Sequence, residues 1–282
     1  MALSTLNLSA ACLHIGCAVG FSIYFPIINQ THPNDPTSGI EMSIRDHVLC
    51  LKRKGDTVTS SWLSVTLQNP DIKLVQGLVI LFFTITGIFH LIYYFNSSLY
   101  NNMIHRQNNY LRWIEYSITS TLMLYIIALI SGVKDTKIYQ VLWAMNIAMI
   151  AQGQLIETAV QKGESWWIPM TTGFVLLIVE WSVIVREYMD RVDQVNSFIE
   201  ANPTQTTKKV PVWITSMIFV MFFFYASFGF ISLYGAYKGN EQYETIERLY
   251  ILFSVIAKAT LGLFIAVGIT QRQTGSVGGQ IQ

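Results

Sequence analysis

Charge is what this chain has least of. Only 12% of its 282 residues are Asp, Glu, Lys or Arg, about half the ~25% of an ordinary soluble domain. Eighteen basic and seventeen acidic residues leave a formal net charge of +1, which excludes a protein that tracks nucleic-acid phosphates through a basic surface. A water-soluble fold of this length would also lack the polar side chains needed to solvate its surface. Cysteine is equally scarce. Cys12, Cys17 and Cys50 cannot form a disulfide framework, and the first two sit in one apolar run as small packing residues. A Gly-rich phosphate loop, a metal-spaced His/Cys cluster and a nucleophile triad are missing, so neither enzymatic activity nor a metal is expected. The Asp/Glu-Arg-Tyr and Asn-Pro-x-x-Tyr motifs of G-protein-coupled receptors are absent as well. No cleavable signal peptide is recognised, and the first apolar run is expected to stay in the mature protein.

What the chain does have is apolar length. Hydrophobic residues make up 52% and mean hydropathy is +0.41. Crossing a ~30 Å hydrocarbon core takes about 20 apolar residues in a helix. Seven segments qualify, at 7–28, 74–95, 112–132, 138–158, 166–186, 211–235 and 247–270, predicting an all-α, multi-pass membrane protein in contact with lipid. Spans 3 and 4 are joined by Val133–Lys137 alone and must form an antiparallel hairpin. In the long loop 29–73, the segments His47–Lys52 and Thr57–Val65 read as two strands around an Arg53-Lys54-Gly55-Asp56 turn. A β-hairpin on the membrane surface is expected there, with an irregular polar loop as the alternative. The tail Thr274–Gln280 reads as flexible.

The charge rule for orientation is weak here. An inside N-terminus puts Arg106, Arg112, Lys162, Lys238 and Arg248 in the cytoplasm. It puts Arg45, Lys52, Arg53, Lys54, Lys73, Lys134, Lys137, Arg186, Arg191, Lys208, Lys209 and Arg272 outside. Twelve against five favours an outside N-terminus, but five of the twelve lie in the long first loop.

Ionisable residues at membrane depth are costly and point to function. Lys258 stands near the middle of span 7, with Arg248 as the nearest charge before it. Desolvation favours the uncharged, nucleophilic amine, which condenses with an aldehyde to a Schiff base. A lysine paired with a buried carboxylate would explain the same feature. A protonated Schiff base needs an anion, and one counter-charge at ~4 Å is worth about 4 kcal/mol at an effective dielectric of ~20. Two interior carboxylates offer themselves, Glu115 in span 3 and Glu180 in span 5, whereas Glu157, Arg186, Glu247 and Arg248 lie near span ends and read as solvated. Arg112, Glu115, Tyr116, Thr119 and Ser120 share one helical face. Arg112 is therefore expected to hold Glu115 ionised, with Thr119 and Ser120 hydrogen-bonding around it. Glu115 lies within a turn of the predicted span edge, so pairing with Lys258 would require span 3 to begin near Ile104–Gln107.

Arg112-Trp113-Ile114-Glu115-Tyr116-Ser117 and Glu247-Arg248-x-Tyr250-Ile251-x-x-Ser254-x-x-Ala257-Lys258 resemble the span 3 and span 7 signatures of the heliorhodopsins. His14, Phe89-His90, and Asn146, Met149, Gly153 and Glu157 are similar to that family's spans 1, 2 and 4. The resemblance covers all seven spans and implies a rhodopsin-like bundle carrying all-trans retinal on Lys258, with Glu115 as counterion. It implies that Ser254 and Ser120 lie near the Schiff base, that Ser120, Asn146, Met149, Gly153, Trp167 and Tyr225 line the pocket, and that His14 and His90 can take up its proton. Each pocket residue has ordinary interhelical packing as its alternative, and the histidines have a satisfied place in the core. The resemblance further implies a cytoplasmic N-terminus, an extracellular C-terminus, and a homodimer through spans 4 and 5 and the first loop.

Outward proton pumps of the usual microbial kind have a carboxylate one turn before the retinal lysine and a proton donor eleven residues after the counterion. Here those positions are Ser254 and Ile126. The resemblance therefore implies a slow-cycling light sensor. Glu180 departs from the family pattern, and a buried acid is what a proton relay needs. In the inverted orientation it falls in the outer half of the membrane, opposite Glu115, so light-driven or light-gated proton transport is the second expectation.

Overall fold

The computed structural model describes residues 2–31, 45–54, 57–66, 72–201 and 210–277. The described elements are α1 (Leu3–Thr31), β1 (Arg45–Lys54), β2 (Thr57–Thr66), α2 (Ile72–Phe95), α3 (Ser97–His105), α4 (Tyr110–Ser131), α5 (Thr136–Lys162), α6 (Trp167–Ala201), α7 (Val212–Lys238) and α8 (Tyr243–Val277). A 3-10 turn, Gly239–Gln242, leads into α8. The seven long helices close a ring in which α1 packs on α2 and α8, α2 on α4, and α4 through α8 each on the next, while α3 contacts α2. β1 and β2 pair antiparallel, Arg45 opposite Thr66 and Lys54 opposite Thr57. The expected turn residues Gly55 and Asp56, loop residues 32–44 and 67–71, and tail residues 278–282 lie outside the described residues.

Local chemistry sets the helix ends. Asn109 caps α4 by accepting from the Arg112 backbone N–H at 3.2 Å, and Asp135 caps α5 by accepting from that of Lys137 at 2.8 Å. Between them, Gly132 closes α4 at φ 101°, a conformation that favours a residue without Cβ. The Arg191 guanidinium donates to the Gly132 carbonyl at 3.1 Å, pinning the α4–α5 hairpin to α6.

Six helices are long and apolar enough to cross a membrane: α1, α2, α4, α6, α7 and α8. The fourth expected span is α5, a 27-residue helix of similar length that carries more polar residues, among them Asn146, Gln152, Gln154 and Glu157. Large apolar side chains such as Leu13, Ile23, Ile88, Ile178, Phe219 and Leu263 face outward around the ring, a surface suited to lipid rather than water. The core between the helices is filled by Phe82, Phe83, Leu124, Ile127, Met217, Met221 and Leu261.

Two boundaries depart from the hydropathy reading. The third membrane helix is not one of them: it begins at Tyr110, after the separate helix α3 and close to the expected 112, and the earlier start near Ile104–Gln107 that pairing with Lys258 was expected to require is not found. α6 continues 15 residues beyond the predicted end at 186, because charged residues end a hydropathy window without ending a helix. Its extension is held by Arg191 and by a 2.5 Å bond between the Tyr188 and Thr215 hydroxyls. α8 likewise runs through Thr274–Val277, which read as tail.

Candidate functional site

Lys258 lies 15 residues into α8, about 22 Å from its start at ~1.5 Å per residue. Helical side chains lean toward the N-terminus, so the lysine reaches back one turn and Nζ donates to Ser254 Oγ at 2.7 Å. Nζ also donates to Glu115 Oε1 at 3.1 Å and stands 5.3 Å from the Tyr116 ring centre. This backward reach closes the depth difference without an earlier helix start. Glu115 Oε1 accepts two further bonds, from Thr119 Oγ1 at 2.9 Å and Thr86 Oγ1 at 2.7 Å. Lys258, Glu115, Ser254, Thr86 and Thr119 are all buried, which makes the group a charge pair inside an apolar bundle, where pairing and hydrogen bonds must offset desolvation.

Arg112 does not hold Glu115. It turns instead toward α5 and the start of α8, where one guanidinium nitrogen donates to Glu157 at 2.8 Å and another bonds Glu247. Its guanidinium lies over the Tyr250 ring at 4.1 Å. Trp113 Nε1 and the Tyr243 hydroxyl also donate to Glu157. Glu247 accepts from Asn109 Nδ2 at 2.7 Å and the Tyr100 hydroxyl at 3.1 Å. Burial, with the Glu247 carboxylate next, pushes the Tyr100 hydroxyl above its ordinary value, so it remains a donor. Glu157 and Glu247, which read as solvated ends, are thus part of a buried ionic cluster, because α3 and the α7–α8 turn cover the ends of α5 and α8. Tyr116 links the two centres: its ring faces Lys258 and its hydroxyl donates to the Tyr250 carbonyl at 3.1 Å.

His14 and His90 stack at 5.6 Å with planes 5° apart. His90 Nδ1 bonds Asn7 Oδ1 at 2.7 Å, whereas both ring nitrogens of buried His14 lack a partner. The two histidines meet on the α1–α2 side of the lysine, which also holds Thr86.

Of the expected pocket residues, Met149, Gly153 and Tyr225 line one cavity of ≈ 70 Å³ together with Trp113, Tyr116, Phe174, Leu177 and Phe228. Gly153 is required there, since a Cβ would come within 2.2 Å of the Trp113 ring. Asn146 is buried at the side of the bundle, donating to Ser120 Oγ and Thr121 Oγ1, both at 2.8 Å. Ser120 does not reach Glu115; its hydroxyl donates to the Tyr116 carbonyl at 2.6 Å, and its own carbonyl accepts from Tyr225 at 2.7 Å. Trp167 is not a pocket residue. As the first residue of α6 it is 51% exposed, stacked on Trp166 and edge-on to Tyr237, a place that suits an amphipathic ring at a membrane edge. The buried tryptophan of α6 is Trp181, 2% exposed, with its ring 5.3 Å from Tyr225.

Glu180 is 0% exposed, and neither carboxyl oxygen has a partner. Thr86 and Trp181 are among the residues that escaped the sequence reading. Thr86 had a signal, because it stands i−4 from His90 on α2 and shares its face. Trp181 had none, being one of two tryptophan positions in an apolar helix.

The heliorhodopsin family profile matches residues 3–270. No curated protein sequence matches. Among solved structures, the chain is similar to Acetabularia Rhodopsin I, with a TM-score of 0.55 and 14% identity, covering 98% of this chain and 97% of that one. It is similar also to Exiguobacterium sibiricum rhodopsin, at TM-score 0.57 and 11% identity over 98% of both chains. A cyanorhodopsin from the cyanobacterium Tolypothrix gives TM-score 0.51 and 11% identity, over 97% of this chain and 99% of that one. Identities this low speak to the fold alone.

Proposed function

The chain belongs to the heliorhodopsin family, and on that premise we propose that this integral membrane protein is a light sensor carrying all-trans retinal as a protonated Schiff base on Lys258. The residues present suit that group. A buried amine adjoins an aromatic cavity whose wall includes Met149 and Met170, side chains that re-pack easily around a ligand. Bound retinal would supply light absorption and isomerisation. The chain's own part is electrostatic. Glu115 would neutralise the cation at Lys258, Ser254 would hydrogen-bond beside it, and Thr86 and Thr119 would keep Glu115 oriented. Movement of charge at this pair would reach the Arg112 cluster through Tyr116 and Tyr250. His14 and His90 would take up the proton on the other side.

The observation that carries this reading is the 3.1 Å Lys258–Glu115 contact, buried beside the cavity. The test is to add all-trans retinal to purified apoprotein and record the spectrum. A visible band is expected in the wild type and none in K258A, with borohydride trapping the adduct only in the former. A normal band in K258A would refute it. A long-lived photoproduct without ion flux is the expected signature of sensing. We place the N-terminus in the cytoplasm and the C-terminus outside, with the β1–β2 unit as a hairpin on the outer membrane surface. The protein would be a homodimer through α5, α6 and the first loop.

A second reading, light-driven or light-gated proton transport, is favoured by Glu180 alone. It requires that acid to release its proton. Under voltage clamp it predicts a photocurrent that E180Q abolishes.

A further inference from the structure

Four of the buried polar atoms without a hydrogen-bond partner belong to three side chains of α5 and α6, away from the Lys258–Glu115 pair. Both Glu180 oxygens, Trp181 Nε1 and Asn146 Oδ1 are buried and lack a hydrogen-bond partner. A run of contacts connects them. Glu180 adjoins Trp181 on α6, the Tyr225 ring meets Trp181 at 5.3 Å, and the Tyr225 hydroxyl donates to Ser120, whose side chain accepts from Asn146. Tyr225 and Leu177, one turn before Glu180, both line the cavity. Glu180 leans toward that turn, as helical side chains do.

Buried polar atoms are nearly always satisfied, and a group of them signals exchangeable partners or ordered water. No ammonium or guanidinium reaches Glu180 among the described residues, and an isolated carboxylate in such surroundings is too costly to persist. The neutral acid, in contrast, brings one donor and one free acceptor to a place that offers an unused acceptor at Asn146 and an unused donor at Trp181.

We propose that Glu180, Trp181 and Asn146 form a second internal polar site, in which Glu180 keeps its proton throughout the light response and exchanges hydrogen-bond partners as the cavity wall moves. The light-driven half of this inference rests on the reading of Lys258 as the retinal attachment point; the proton on Glu180 in the dark does not. Four helices contribute to the site: Ser120 from α4, Asn146 from α5, Glu180 and Trp181 from α6, and Tyr225 from α7. A change of partner there reports relative displacement of the helices that wall the cavity, which is what a sensor must convert into a signal. It also opposes the transport reading, in which the same proton must leave.

Infrared spectroscopy on the full chain decides it. In dark apoprotein, a carboxylic-acid C=O band that is lost in E180Q is expected at neutral pH, with or without Lys258. After reconstitution with all-trans retinal, illumination should shift that band in frequency without loss of area. Absence of the dark band overturns the resident proton. Loss of area on illumination overturns its retention and favours transport, and an unmoved band in a pigment that photocycles overturns the partner exchange. Thermal melting supplies a second readout. Exchanging a neutral acid for an amide should leave the midpoint of E180Q near that of the wild type, whereas a marked rise would reveal an unpaired anion in the wild type.

Discussion

Replacing Arg112 with Gln is the most informative single perturbation of the ionic cluster. The guanidinium is fully buried between two carboxylates, one bond being 2.8 Å to Glu157 and the other reaching Glu247, and it stacks on Tyr250 at 4.1 Å. The wild-type cluster holds one positive and two negative groups, with its surplus charge spread over donors from Trp113, Tyr243, Tyr100 and Asn109. Removing the cation leaves two facing carboxylates with no counter-charge, and breaking a buried pair in this way costs about 3–5 kcal/mol. At roughly 2–4 °C per kcal/mol for a chain of this size, R112Q should melt on the order of 10 °C lower. The sign reverses when the anions go as well. R112Q/E157Q/E247Q should recover most of the loss, because hydrogen-bonded neutral groups replace the charges, and E157Q alone should be neutral or stabilising because it cancels the surplus. The assay is thermal melting of the detergent-solubilised protein, followed by tryptophan fluorescence and by pigment absorbance where present. An R112Q that melts within about 1 °C of the wild type, or a triple variant no better than R112Q, would refute the reasoning.

Three further outcomes follow from the site geometry. T86V removes the 2.7 Å donor to Glu115, leaving its negative charge more concentrated beside Lys258; the reconstituted pigment should absorb at shorter wavelength, read directly from the spectrum. G153A puts a Cβ within 2.2 Å of the Trp113 ring, and overpacking of this kind costs about 1–3 kcal/mol; lower thermal stability and less pigment per apoprotein are expected. Y116F keeps the ring beside Lys258 but deletes the hydroxyl bond to the Tyr250 carbonyl; the pigment should form, while light-induced infrared changes in the Glu157 and Glu247 carboxylate bands weaken.

Much of the site was legible because lone charges in apolar runs are expensive and therefore conspicuous. Lys258 and Glu115 could be singled out one at a time on that ground, the i+4 relation of Glu115 to Thr119 followed from helix geometry, and Ser254 came from the family resemblance. Burial at helix ends was not legible. Glu157 and Glu247 sit where a hydropathy window meets polar sequence, and only the packing of α3 and the α7–α8 turn takes them out of water. Trp167 and Trp181 show the same limit, since both lie in one apolar helix and nothing local tells the membrane-edge residue from the buried one.

The composition and spacing of this chain settled its solvent, because apolar stretches this long with so little charge are tolerable only in lipid. They also settled which residues share a helical face at i, i+3 and i+4 intervals, since helix periodicity is a local property. Which carboxylate meets which cation was decided only by tertiary structure. Arg112 and Glu115 are three residues apart on α4, yet Arg112 pairs with Glu157 on α5 and Glu247 near the start of α8, while Glu115 pairs with Lys258 farther along α8, because ion-pair choice depends on the axial offset of α4 against α8 and on the direction in which long side chains lean. Neither quantity is encoded within any single helix.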